Sequence, residues 1–149
     1  MMKVVIQLVS EASLSVAGNL HASMAHGMVC FVGFKHQDNH DVIDTMLDKI
    51  LKLRIFPDQA GKTNLSLSET NGQLLMVPNF TLYAITIGSR RPSFSNAAKP
   101  DVANELFTYL KTQLATLYPS SSFGVFGADM SIVVHNQGPF TLILDSDEQ

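Results

Sequence analysis

Met28-Val29-Cys30-Phe31-Val32-Gly33-Phe34 is an unbroken apolar run of strand length, and it reads as a central buried strand. Seven residues on, the period changes. From Asp41 to Leu53 the apolar residues fall at Val42, Ile43, Met46, Leu47, Ile50, Leu51 and Leu53. That is helical spacing with one apolar stripe. Asn39 and Asp41 are both suited to cap its N-terminus.

Outward from this pair, strand signals dominate. Residues 3–9 (KVVIQLV) are β-branched and apolar. Residues 12–17 (ASLSVA) alternate and then reach Gly18-Asn19, which predicts a hairpin or meander. A short strand is expected at Arg54-Ile55-Phe56, with a turn over residues 57–61, and another core strand over 73–77 (QLLMV) running into Pro78. Residues 88–100 form a loop by composition. Pro100 and Asp101 open a second helix with Val102, Leu106, Leu110, Leu114 and Leu117 on one face, and Pro119 and three serines end it. Two last strands are expected at 130–135 and 140–144, joined by a turn at residues 136–139. Strands linked mainly by short turns, with two helices inserted, predict an α+β fold with a mainly antiparallel, curved or barrel-like sheet.

The chain has 149 residues, 46% of them hydrophobic and 15% charged, so a single domain over residues 1–149 is expected. No stretch approaches the roughly 20 apolar residues of a membrane helix, and the N-terminus does not read as a signal peptide. The lone cysteine, Cys30, reads as a small buried hydrophobe and fits a reducing cytoplasm. The net charge of −3 argues against broad binding to a phosphate backbone. Yet seven of the ten cations (Lys52, Arg54, Lys62, Arg90, Arg91, Lys99 and Lys111) lie between residues 52 and 111, which leaves a local basic face open.

The familiar catalytic signatures are missing. There is no phosphate-binding glycine loop, no nucleophile elbow and no CxxC. His36 and His40 have i,i+4 spacing but no evident third ligand, so they read as polar residues flanking a helix, and neither metal nor cofactor is expected. His135 and Asp129 read as a structural histidine and a turn carboxylate. An enzyme with this inventory would act through positioning and backbone donors, which suits an activated ester. Two segments resist a purely structural reading. In Pro78-Asn79-Phe80-Thr81-Leu82, polar residues interrupt a core strand after a proline, so backbone N–H groups there can be free of the sheet. Gly138-Pro139 sits in the last turn, where composition favours a plain hairpin.

At these segments the chain resembles the D-aminoacyl-tRNA deacylase family. Residues 53–65 (LRIFPDQAGKTNL) are similar to its RIFxDxxGKMNLS block, 78–82 (PNFTL) to SQFTL, and 91–94 to RPSF. Residues 126–130 match FGADM, and 136–141 (NQGPFT) match NxGPVT. The resemblance implies a cytoplasmic homodimer that hydrolyses the ester of mischarged D-aminoacyl-tRNA, and of glycyl-tRNA. Asn79, Phe80 and Thr81 would then line the catalytic centre, with Thr81 beside the scissile bond. Pro78, Phe126, Gly127, Ala128 and Met130 would bind the terminal adenosine and amino acid. Gly138 and Pro139 of the facing subunit would exclude L side chains, and the RNA 2′-hydroxyl would assist hydrolysis. Five positions depart from the pattern: Pro78-Asn79 replaces Ser-Gln, Leu8 replaces an arginine, Thr63 a methionine and Phe140 a valine. Pro78 and the lost arginine are shared with animal-type deacylases that remove L-alanine. A relaxed or L-alanyl-directed enzyme, and a non-catalytic module that grips a tRNA end, are therefore the alternatives.

Overall fold

A computed structural model describes residues 2–148. Eight strands and two helices follow in the order β1 (Lys3–Val16), β2 (Asn19–Met24), β3 (Gly27–Gly33), α1 (His40–Lys52), β4 (Phe56–Pro57), β5 (Thr63–Leu65), β6 (Gln73–Pro78), α2 (Pro100–Leu117), β7 (Ser121–Phe123) and β8 (Met130–Asp145). No helix among the described residues is long and apolar enough to cross a membrane.

The two segments read as separate N-terminal strands are one strand. β1 is hydrogen-bonded on both edges: to β3 and then β2 on one side, and to β8 along the other. The Ala17-Gly18 turn has positive φ at both residues, the geometry that matches strand twist in a two-residue hairpin. Asn39 caps α1, its side chain accepting from the Val42 N–H at 3.1 Å.

The sheet is mixed, not mainly antiparallel. β3 pairs β6 in parallel, and β6 pairs β7 in parallel. Parallel neighbours need a long crossover, and α1 and α2 lie on the two crossovers. The three-residue β7 falls where the serines were read only as a helix stop. The last two expected strands are also one. β8 runs antiparallel to β1 throughout, so residues 136–139 are not a hairpin turn. Between the pairs Gln7–Thr141 and Val9–Asn136, β1 advances two residues and β8 five, and the extra residues of β8 leave the ladder as a bulge. At Arg54-Ile55-Phe56 the strand is shifted: Phe56–Pro57 pairs with Thr63–Leu65, outside the main sheet.

Two apolar clusters follow from this curvature. On one face of the sheet, Met28, Cys30, Val32, Leu74 and Met76 pack against α1 and α2. On the other face, Val29, Leu75 and Val77 meet Val9, Ala12 and Leu14 of β1, with Met130, Ile132 and Val134 of β8 alongside. The sheet thus curls over itself like a barrel. In α2 the buried stripe is Ala103, Leu106, Phe107, Leu110 and Leu114. Val102 and Leu117, expected in that stripe, are 38% and 52% exposed. Burial pushes the Cys30 thiol far up, so it stays protonated.

Phe107 is fully buried and meets Phe123 edge-on, with ring centroids 6.4 Å apart. Phe107→Ala is expected to cost about 3–5 kcal/mol, read as a lower midpoint in urea unfolding. A loss below about 1 kcal/mol would mean the helix is not anchored there.

Candidate active site

Parallel strands converge at their carboxyl ends, and open sheets with such strands bind ligands in the crevice beyond those ends. Here the chain leaving β3, β6 and β7 forms a single cavity of about 740 Å³. Val32, Phe34 and His36 come from the first exit, Pro78, Asn79 and Phe80 from the second, and Phe126, Gly127 and Ala128 from the third. Met130 and Ile132 of β8 close the inner side.

Each exit is fixed locally. The Asn79 N–H donates to the Val32 carbonyl at 2.7 Å, the last tie between the β6 exit and β3. The chain then makes one 3₁₀ turn, Phe80–Tyr83, where a continued strand would have been the simple expectation. At the start of such a turn the first N–H groups, those of Phe80 and Thr81, have no carbonyl of their own turn to donate to. Tyr83 is buried and anchors the far end of the turn. Its phenol is held well above the usual range, first by burial and then by the negative charges of Asp38, Asp145 and Asp147. The Thr81 hydroxyl donates to Asn79 Oδ1.

The third exit depends on Gly124, which is buried. A Cβ there would sit 2.8 Å from Met130 Sδ and 3.1 Å from Pro78 Cδ, so any larger residue would force Met130 or Pro78 to give way where the β7 exit lies against the β6 exit. The Val125 N–H points to Met130 Sδ at 3.4 Å, and the Ala128 N–H donates to the Val125 carbonyl at 3.2 Å.

The outer wall is the 88–100 loop, held by two short bridges. Ile85 and Ser93 exchange backbone hydrogen bonds of 2.7 and 2.9 Å, and the Ala98 N–H donates to the Phe34 carbonyl at 2.9 Å. His36 Nε2 donates to the Ser95 carbonyl at 2.6 Å, which fixes the hydrogen on that nitrogen. Phe80 and Phe94 meet edge to face, centroids 5.1 Å apart, and Phe80 is 55% exposed. Lys99 brings a cation to the lining, which is otherwise largely apolar. Among the described residues, no group of three or more His, Cys, Asp or Glu side chains is placed to hold a metal.

Of the residues singled out in the sequence, Pro78, Asn79, Phe80, Phe126, Gly127, Ala128 and Met130 all line this cavity. Thr81 is exposed, one residue beyond the lining. Gly138 and Pro139 are exposed on the bulge of β8, joined by a cis peptide, and neither lines the cavity. Sequence reasoning missed Phe31, His36, Ser95 and Lys99. His36 was read as helix-flanking, because no spacing ties it to Ser95, 59 residues away.

The model of the D-Tyr-tRNA(Tyr) deacylase family matches residues 5–145. This chain belongs to that family. A D-aminoacyl-tRNA deacylase of Solidesulfovibrio magneticus is 48% identical, covering 97% of this chain and 96% of the relative. One of Bacillus velezensis is 44% identical over 99% of this chain and 100% of the relative. Among solved structures, a c-Myc DNA unwinding element binding protein matches with a TM-score of 0.91 and 30% identity, covering 96% of this chain and 97% of that one. A probable eukaryotic D-amino acid tRNA deacylase shares the fold with a TM-score of 0.82 at 16% identity, over 96% and 98% of the two chains.

Ala128 faces the cavity without a bulky side chain, so its enlargement should block the space and spare the fold. Ala128→Trp is expected to weaken substrate binding at least about tenfold, roughly 1.4 kcal/mol, with an unchanged thermal midpoint. Unaltered substrate binding would place the ligand elsewhere.

Proposed function

We propose that this deacylase hydrolyses the ester joining a D-amino acid, or glycine, to the 3′ end of tRNA, acting as one catalytic domain over residues 1–149. The observation that carries the reading is the convergence of the 78–82 and 126–130 segments on one cavity, in a chain of this family. The cavity takes the terminal adenosine and the aminoacyl group. Phe80 and Phe94 offer an exposed aromatic pair against which a base can stack. Pro78, Phe126, Gly127, Ala128 and Met130 enclose the remainder.

Hydrolysis needs few side-chain catalysts. Water attacks the ester carbonyl carbon, and the carbonyl oxygen becomes an oxyanion. The N–H groups of Phe80 and Thr81 are preorganised donors for that charge. Asn79 holds the Thr81 hydroxyl at the edge of the centre. The C–O bond to the RNA then breaks, the 3′-oxygen takes a proton, and a free amino acid and tRNA leave. The neighbouring 2′-hydroxyl of the RNA relays the proton from the attacking water to the 3′-oxygen.

The enzyme works as a cytoplasmic homodimer in this reading. Gly138 and Pro139 stand away from their own cavity, as a filter supplied to the facing subunit must. Exposed Leu20, Val133 and Ile143 give the sheet an apolar outer surface suited to a second copy. The filter's carbonyls exclude an L side chain, and glycine has none to exclude. Pro78 and Leu8 favour one second reading, a relaxed enzyme that also removes L-alanine.

A deacylation time course on matched D- and L-tyrosyl-tRNA, with glycyl- and L-alanyl-tRNA alongside, separates these readings. The D-ester should disappear at least roughly 100-fold faster than its L counterpart, about 2.7 kcal/mol of discrimination. Rapid loss of L-alanyl-tRNA would select the relaxed enzyme, and loss of no ester would reject catalysis. Replacing the terminal adenosine by 2′-deoxyadenosine should slow the D-ester by about 10²-fold or more, the range of a proton-transfer catalyst. An unchanged rate would remove the 2′-hydroxyl from the mechanism.

A further inference from the structure

The bulge that presents Gly138 and Pro139 has a fastening that neither its glycine nor its proline supplies. Asn136 is the β8 residue paired with Val9 just before the ladder breaks. Its side-chain amide uses both hydrogens. Nδ2 donates to the Leu8 carbonyl at 2.9 Å and to the Phe140 carbonyl at 2.9 Å. Leu8 is the β1 residue facing the gap in the register, and Phe140 is the last bulge residue before Thr141 pairs again with Gln7. One amide therefore ties both feet of the bulge to β1.

The tie reaches the tip. Gly138 has φ +130, and a Cβ on it would lie 2.8 Å from the Phe140 nitrogen and 3.2 Å from the Phe140 Cβ. Phe140 thus lies close against Gly138, so a displacement of Phe140 is carried to the Gly138-Pro139 tip. The anchor itself is rigid. Leu8 is buried in the helix-side core, and Phe140 packs against that same cluster. Gln7 Nε2 adds a bond to Thr141 Oγ1 at 3.1 Å on the far side.

We infer that Asn136 is a positioning residue for substrate selection: it holds the Gly138-Pro139 carbonyls in the one orientation that discriminates between the hands of the amino acid. This inference rests on the reading of Gly138-Pro139 as a filter, and deepens it. Asn136 touches no substrate. It acts through the Leu8 and Phe140 carbonyls alone.

Asn136→Asp keeps the shape and removes the donors. A carboxylate oxygen then faces two carbonyl oxygens, and the bulge must shift. The charged form is disfavoured beside those carbonyls, so the new carboxyl has a pKa above the usual carboxylate value. Its protonated form restores one donor. The expected result is a ratio of L- to D-tyrosyl-tRNA hydrolysis that rises at least tenfold at neutral pH and falls back as the pH is lowered. The wild-type ratio stays flat across the same range. Asn136→Ala should raise the ratio without the pH dependence, and it decides the matter if the aspartate variant does not fold, as judged by circular dichroism and thermal melting. Pro139→Ala, assayed in parallel, tests the filter separately. If Pro139→Ala relaxes selection while both Asn136 variants keep the wild-type ratio, Asn136 has no positioning role. If folded Asn136 variants lose both activities alike, its role is not selective and the inference fails. If Pro139→Ala also leaves the ratio unchanged, the filter reading falls first, and this inference with it.

Discussion

The structure depends on β1 being hydrogen-bonded along both edges. A strand of 14 residues paired on one side with β3 and β2, and on the other with β8, cannot stay flat. Its twist carries Val4, Ile6 and Leu8 into the core beneath the helices, then Ala12 and Leu14 into the second cluster inside the curl. The two cores change over at Leu8-Val9, and there the ladder with β8 is irregular. The bulge therefore sits where the curvature changes, and β1 connects it physically to the strands that bear the cavity.

The cavity follows from a different constraint. β3, β6 and β7 run parallel, so the chain must exit all three at one end of the sheet. Backbone groups released from a ladder at that end are unpaired unless turns or ligands use them. The 3₁₀ turn after Pro78 takes up the Leu82 and Ala84 N–H groups, and the first N–H groups of the turn have no carbonyl of their own turn to donate to. This explains how a chain with no metal-binding cluster among its described residues is read as an ester hydrolase. The donors come from topology, and a sequence motif need only keep the turn short and the third exit small, as Gly124 does.

Much of this was legible in the sequence, and the failures share a cause. Helix α1, with its cap at Asn39 or Asp41, the start of α2 at Pro100 and the core strand running into Pro78 follow from periodicity and capping, which are local, and the structure selects Asn39. The parallel pairing of β3 with β6 is not local: 28–34 and 73–77 carry the same apolar pattern in either direction. The merging of 130–135 with 140–144 was hidden for a related reason. Asn-Gln-Gly-Pro has turn composition, and only the shared partner β1 reveals that the chain bulges without reversing. The residues lining the cavity were mostly readable through the family's motifs. His36 and Ser95 were not, because their contact joins loops far apart in sequence. In α2, Val102 and Leu117 have the right character but the wrong angle, and Phe107 and Ala103 take their places.

The departures Leu8 and Phe140 can be weighed on the same terms. An arginine at residue 8 could reach the bulge with charged donors. Leu8 offers none, and its side chain is committed to the core. What remains polar at that site is the Leu8 carbonyl, and Asn136 takes it up together with the Phe140 carbonyl. The bulge here is thus held from below by apolar packing of Phe140 and from the side by one neutral amide. A neutral tie in a partly buried place keeps its strength across pH and salt, where a charged one is screened or titrated. The loss of the arginine therefore removes one way of fixing the bulge without freeing it, and selection in this chain would depend on geometry set by Asn136 more than on charge.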